Sequence, residues 1–148
     1  MIHYYGSNLD SYPLIFWQEI PVGVKSLNDL AGQVACCEPG SAQEMILDQY
    51  DLISKLPVEK IDDALLNIQY GKAVAALVEP AIAKKFSAKY AQVKLLNVPI
   101  SQELQEQGVG IVTLPERSDL IKQVQAVIKK LKAAGVIDQL AQKWGLEV

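Results

Sequence analysis

Two uninterrupted apolar segments constrain the fold of this chain most strongly. They occupy residues 34–37 and 73–78, and each is followed by strand-breaking residues and then by a helical pattern. A strand that is apolar at every position must be covered on both faces, which is typical of parallel sheets. Strands that alternate with helices favour an α/β fold. The 148 residues suit one compact domain, or a small domain with appended segments.

The remaining segments fit the same alternation. Short strands are predicted at 14–17, near 56–58, at 93–95 and at 109–112, and helices at 25–32, 42–50, 61–71 and 81–90. The C-terminal third differs, because two amphipathic helices follow one another there without a new strand. Ser118 is predicted to cap the first of them, Gly135 to end it, and 137–144 to form the second.

Composition excludes several classes of function. The net charge of −3 disfavours a nucleic-acid or anionic-membrane partner. No apolar run approaches the roughly 20 residues that span a bilayer, and the first residues lack the basic segment of a signal peptide. Cys36 and Cys37 are adjacent and are best explained as small core residues. With a single histidine, the sequence predicts no metal site and no cofactor.

Five segments together resemble a known family. They are Tyr4-Tyr5-Gly6, residues 26–35, residues 71–80, residues 108–112 and residues 131–145, which ends in Lys143-Trp144-Gly145. In this order and spacing they resemble the polar-amino-acid-binding proteins of ABC importers, which are periplasmic solute-binding proteins of the type II fold. The arginine-binding branch is the most similar.

The resemblance implies a bilobal organisation of which this chain holds only part. Residues 1–13 are expected to be the tail of the first lobe and the hinge, and 14–109 a second lobe with three α/β layers and a mostly parallel sheet. Residues 110–148 are expected to be the return crossing and the C-terminal helices of the first lobe. Most of the first lobe would be missing, so the apolar stripe of the final helices would be exposed, repacked, or buried by another chain.

Three residues are the main candidates for ligand binding. Gly40 and Ser41 lie between a strand and a helix, where free N–H groups suit a carboxylate. Glu79 ends the second apolar strand, where a carboxylate can hold an ammonium group. The resemblance assigns these roles, whereas an ordinary N-cap and a solvated strand-end charge explain the same residues without a ligand. Cys37 and Glu38 are expected to line the site.

The sequence therefore predicts a non-catalytic protein that binds arginine or another polar or basic amino acid. A membrane permease of an ABC importer is its expected partner, and the resemblance implies the periplasm as its compartment. An interaction remnant that forms a homodimer through its exposed helices is the alternative. An enzyme similar to cyclohexadienyl dehydratases is less favoured, because only Glu79 could act as an acid or base and no histidine is placed to assist it.

Overall fold

The computed structural model describes residues 2–5, 10–105 and 109–145. The described chain divides into two compact units. Residues 10–105 form the larger unit, and the segments 2–5 and 109–145 form the smaller one. The assignment of residues 1–13, 14–109 and 110–148 to two lobes stays a prediction. Within the described ranges, no helix has the length and apolar character needed to cross a bilayer.

Strands and α-helices are numbered in chain order. The strands are β1 (Ile2–Tyr5), β2 (Ser11–Trp17), β3 (Val34–Cys37), β4 (Ser54–Pro57), β5 (Ala75–Leu77), β6 (Val93–Pro99) and β7 (Val109–Ile111). The α-helices are α1 (Ala42–Leu47), α2 (Ile61–Gln69), α3 (Pro80–Lys89), α4 (Ser118–Ala133) and α5 (Val136–Trp144). Short 3₁₀ turns at Leu27–Leu30, Gln102–Leu104 and Pro115–Arg117 complete the described structure.

The larger unit contains a mixed sheet with the strand order β4-β3-β5-β2-β6. Strand β3 pairs in parallel with both β4 and β5, whereas β2 is antiparallel to β5 and β6. Four of the five strands therefore run in one direction and only β2 runs in the other. The predicted α/β fold with a mostly parallel sheet is confirmed.

The two adjacent cysteines show how the layers are arranged around the sheet. Neighbouring residues of a strand point to opposite faces. Cys36 packs in a cluster with Ala64 and Leu65 of α2 and with Phe86 of α3. Cys37 instead lies within the electrostatic reach of Glu44 and Asp48, at α1 and its C-terminal end. Helices α2 and α3 thus cover one face and α1 covers the other, which gives three layers.

Several element boundaries differ from those the sequence predicts. Strand β2 begins at Ser11 instead of Leu14, because it pairs with β6 from Ser11 opposite Pro99 onwards. Pro13 cannot donate within this strand, but its carbonyl accepts a 3.2 Å hydrogen bond from the Val78 N–H. Helix α1 ends at Leu47 and not at the predicted residue 50. The residues that follow it form a turn, in which the Tyr50 N–H donates to the Leu47 carbonyl. Ser118 is not the N-cap of α4: it already has helical dihedral angles, and a 3₁₀ turn precedes it.

The smaller unit is a two-stranded antiparallel sheet with two helices. Strand β1, which the sequence pattern did not predict, pairs with β7 in the register Ile2 to Ile111. Helix α4 packs on β1 and on α5. Gly135 has a φ of 71°, and this left-handed conformation, which favours glycine, separates α4 from α5. Ile128 and Ala141 are the buried apolar residues of these two helices.

Candidate functional site

The connections between the parallel strands define a crevice at one edge of the sheet. Strand β3 leads through α1 to β4 on one side, whereas β5 leads through α3 to β6 on the other side. The two helices lie on opposite faces, so the chain diverges between the carboxyl ends of β3 and β5. In open α/β sheets, such a topological switch point is where ligands bind.

The predicted binding residues follow these two neighbouring strands directly. Cys36 is level with Ala76 in the parallel register, so β3 and β5 end at the same height. Gly40 and Ser41 follow the end of β3, and Glu79 follows the end of β5. The topology therefore brings all three residues to one edge of the sheet, although they begin helices on opposite faces.

The Gly40–Ser41 turn is held by hydrogen bonds within the chain. Gly40 adopts a φ of 70°, which a residue with a side chain rarely adopts. Ser41 is the N-cap of α1, and its Oγ accepts from the Glu44 N–H at 3.2 Å. The same hydroxyl donates to the Glu38 carbonyl at 2.6 Å. Ser41 is therefore an ordinary N-cap in this structure, and its proton already has an acceptor.

A carboxylate of the chain itself, that of Glu44, accepts the hydrogen bond of the Gly40 N–H. Glu44 Oε2 accepts from this N–H at 2.8 Å, and Glu44 Oε1 lies 3.3 Å from Lys55 Nζ. Lys55 also pairs with Asp48. The bond from the Gly40 N–H, followed by that from Lys55, holds the pKa of Glu44 below its ordinary value. The turn thus accommodates an anion, since it holds one.

Sequence reasoning did not single out Glu44 or Lys55. The spacing of Ser41 and Glu44 is that of a capping box, and this pattern was available as a signal. In the usual box the glutamate accepts from the N–H of the N-cap residue. Here Glu44 accepts instead from the N–H of Gly40, the residue before the N-cap Ser41. The approach of Lys55 to Glu44 depends on the register of β4 beside β3, and a single sequence does not specify this register.

Gln43 is a second residue of this turn that the sequence did not reveal. Its side chain is 2% exposed, and its Nε2 has no hydrogen-bond partner among the described residues. Burying an amide donor without a partner is costly. The donor belongs to the first turn of α1, whose leading N–H groups also lack partners within the helix. This region therefore has hydrogen-bonding capacity that the described chain does not use.

Glu79 is exposed and precedes α3 as its N-cap residue. Its backbone is extended, and Pro80 occupies the first turn of the helix, as predicted. Its side chain makes no capping hydrogen bond to the N–H groups of α3. Glu79 thus lies at the same edge of the sheet as Gly40 and Ser41.

Cys37 and Glu38 differ in their surroundings. Cys37 is fully buried, and its burial, reinforced by the negative charge of Glu44, raises the pKa of its thiol to about 11. Cys36 is also fully buried, and burial raises its thiol pKa to about 11. Both are core residues, as the sequence indicated. Glu38 is half-buried, and its carbonyl accepts from Ser41.

A separate shallow cavity of about 260 Å³ lies near the opposite edge of the sheet. Its lining comes from the 3₁₀ turn at Leu27–Leu30 and from residues 49–53 before β4. It contains none of the predicted site residues. The described residues also include no cluster of three or more histidine, cysteine or acidic side chains that could hold a metal ion.

Known proteins similar to this chain transport or bind amino acids. The chain is 25% identical, over 99% of its length, to a probable ABC transporter arginine-binding protein ArtJ of Chlamydia trachomatis. It covers 56% of that protein, so it spans little more than half of this relative's length. No protein-family model matches the chain.

Two solved structures share both the fold and a similar level of identity. A mutant of ArgBP from T. maritima superposes with a TM-score of 0.77 at 26% identity, over 98% of this chain and 60% of that one. The GluR0 ligand-binding core from Nostoc punctiforme, in complex with L-glutamate, superposes with a TM-score of 0.71 at 26% identity, over 90% of this chain and 60% of that one. The resemblance that the sequence indicated is confirmed.

Proposed function

We propose that this chain binds an α-amino acid, and that the crevice between the ends of β3 and β5 contributes to the binding site. The Gly40–Ser41 turn would hold the α-carboxylate, and Glu79 would hold the α-ammonium group. The protein would act without catalysis, as the solute-binding component of an ABC importer. Arginine, or another polar or basic amino acid, is the ligand we propose.

The divergence of the chain between β3 and β5 is the observation that carries the proposal. It puts N–H donors, those of the first turn of α1, and a carboxylate, that of Glu79, at the same edge of adjacent strands. An amino acid is a zwitterion, so it presents the opposite charge to each of them. The similarity to proteins that bind arginine and glutamate supports an α-amino acid as the shared ligand class.

The carboxylate end of the proposed site must accommodate Glu44. Its carboxylate occupies the Gly40 N–H, so a ligand carboxylate would either displace it or use neighbouring donors. The leading N–H groups of α1 and the buried Nε2 of Gln43 are such donors. We therefore expect the ligand to bind beside Glu44, towards Ala42 and Gln43. Cys37 and Glu38 would lie behind the bound ligand and not contact its charged groups.

The proposal extends to partner and compartment by similarity. A membrane permease would receive the ligand, and the periplasm would be the compartment, as for other binding proteins of ABC importers. Because the chain spans 56% of its chlamydial relative, other parts of such a protein would supply further ligand contacts. We accordingly expect the 148-residue chain alone to bind in the millimolar to high-micromolar range. A sub-micromolar affinity would contradict this expectation.

Ligand analogues combined with point variants test the two charge contacts. Binding of arginine, N-acetylarginine and agmatine would be measured by ligand-detected NMR, which suits weak complexes. Glu79→Gln should weaken arginine binding by about 10-fold. It should not change the binding of N-acetylarginine, which lacks the ammonium group. Glu59→Gln, which removes an exposed charge just before α2, is the matched control.

The carboxylate contact has a complementary test. Gln43→Met should weaken arginine binding while leaving the binding of agmatine, which lacks the carboxylate, unchanged. Lysine, glutamine, histidine and glutamate would then rank the side-chain preference. Equal binding of arginine and both analogues would contradict recognition of the zwitterion, whatever the side-chain preference.

A further inference from the structure

The shallow cavity near β4 has an apolar interior. Leu27 and Ile53 line it and are themselves buried in the larger unit. Ala31 and Leu52 add further apolar groups, and both are exposed at the surface. The cavity has a volume of about 260 Å³, and a water molecule in the liquid takes about 30 Å³, so it holds a ligand of fewer than about ten non-hydrogen atoms. The cavity therefore suits a small ligand with an apolar part.

Backbone hydrogen bonds within the larger unit fix the two segments that line the cavity. The Gly32 N–H donates to the Leu52 carbonyl at 2.7 Å, and this bond joins the segment after the first 3₁₀ turn to the segment before β4. The Ile53 N–H donates to the Tyr50 carbonyl at 2.9 Å, which closes the turn between α1 and β4. The lining is therefore held in place without a ligand, which reduces the entropic cost of binding one.

Three polar side chains of the lining make no hydrogen bond or ion pair within the described chain. They are the amides of Asn28 and Gln49 and the carboxylate of Asp51, and all three residues are exposed. Two other aspartates in these parts of the chain are already bound. Asp29 accepts from backbone N–H groups at 2.9 Å, and Asp48 pairs with a lysine. Asp51 therefore supplies the cavity with a negative charge that a ligand can use.

The chemistry of the lining favours a cation. The carboxylate of Asp51 attracts an ammonium group, and the aromatic ring of Tyr50, which also lines the cavity, favours one as well. The side-chain carbonyl oxygens of Asn28 and Gln49 are acceptors for ammonium N–H groups. A ligand carboxylate would instead meet the like charge of Asp51. This repulsion disfavours anions, and it disfavours zwitterionic amino acids relative to simple amines.

We propose that this cavity is a second binding site, which takes a small organic cation such as an alkylammonium ion. The hydrocarbon part of the ligand packs against Leu27 and Ile53, and its ammonium group lies at the rim beside Asp51. The site is distinct from the crevice between β3 and β5, because none of the residues proposed to bind the amino acid lines it. The inference therefore does not depend on amino-acid binding.

A titration of the ¹⁵N-labelled chain with butylammonium, followed by amide chemical shifts, tests the proposal. Saturable changes should centre on residues 27–31 and 49–53. The dissociation constant should be in the millimolar range, because the ligand is small and the ion pair is exposed to water. Butyrate, which has as many carbon atoms and the opposite charge, and the ammonium ion, which has no hydrocarbon part, should bind much more weakly. An equal response to either of them, or no saturable response to butylammonium, would overturn the proposal.

Two variants change the charge of the rim in opposite directions. Asp51→Asn should weaken butylammonium binding about 3-fold, and Asn28→Asp should strengthen it by a similar factor. Asp63→Asn, at an exposed aspartate in the first turn of α2, is the matched control and should leave the affinity unchanged. Circular dichroism would verify that each variant is folded. A folded Asp51→Asn chain that binds butylammonium as tightly as the unmodified chain would overturn the proposal, and so would a folded Asn28→Asp chain that binds it no more tightly.

Discussion

The buried amide of Gln43 leads to a prediction about stability. Its Nε2 has no partner among the described residues and its side chain is 2% exposed. A buried donor without a partner costs about 1–3 kcal/mol relative to a satisfied one. Methionine has nearly the same shape and a similar helix propensity, but no amide to desolvate. Gln43→Met should therefore stabilise the larger unit by about 1 kcal/mol.

The chain offers a way to observe this unit alone. Trp17 lies in the larger unit and Trp144, which is 71% exposed, in the smaller one. In a Trp144→Phe background, tryptophan fluorescence reports only the unfolding of the larger unit. A gain of 1 kcal/mol should raise its Tm by about 4–8 °C for a unit of this size.

A matched substitution isolates the effect of burial. Gln69→Met changes an exposed glutamine at the end of α2, in the same unit, so its effect on stability should stay within about 0.5 kcal/mol. If Gln43→Met instead lowers stability by 1 kcal/mol or more, the amide has a partner and the reasoning is refuted. A gain in stability together with weaker arginine binding would indicate that the donor is retained for a ligand.

Three further predictions concern the turn and the cysteines. The lowered pKa of Glu44 means that its contribution is complete above the ordinary value of 4.5 and is lost as pH falls through the lower folded value. The difference in urea midpoint between the unmodified chain and Glu44→Gln should thus be full at pH 7 and close in acid, and a constant difference would contradict the ion pair. With pKa values of about 11, Cys36 and Cys37 should resist iodoacetamide at pH 8 until the chain unfolds, and rapid labelling of the folded chain would contradict their burial. Gly40→Ala should cost about 1 kcal/mol in urea unfolding and Gly40→Asn less, because the φ of 70° is left-handed, and equal stability of all three would argue against that conformation.

The fold was largely predictable because its strongest signals are local. The apolar runs at β3 and β5, and the proline after Glu79, each specify structure within a few residues. Strand β1 and the start of β2 were not predicted, because pairing with β7 and β6 stabilises them across the chain. Ser118 was assigned as a cap from its residue type, whereas Pro115 begins a 3₁₀ turn that precedes the helix.

The candidate site was predictable in outline but not in detail. Ser41 and Glu79 could be placed after strands, and the parallel register confirms that those strands are neighbours. That Glu44 would occupy the Gly40 N–H, or that Lys55 would approach it from β4, depends on tertiary geometry. It also could not be foreseen that the Nε2 of Gln43 would find no partner among the described residues, since burial of a glutamine leaves no sequence pattern.

A titration of the ¹⁵N-labelled chain with arginine, followed by amide chemical shifts, tests the central claim most directly. The largest changes should occur together at two separate stretches, 40–43 and 79–82 (except Pro80, which has no amide proton), and should saturate with one dissociation constant. Changes confined to one stretch, or largest at the cavity around residues 49–53, would contradict the claim that both ends of an amino acid are bound between β3 and β5.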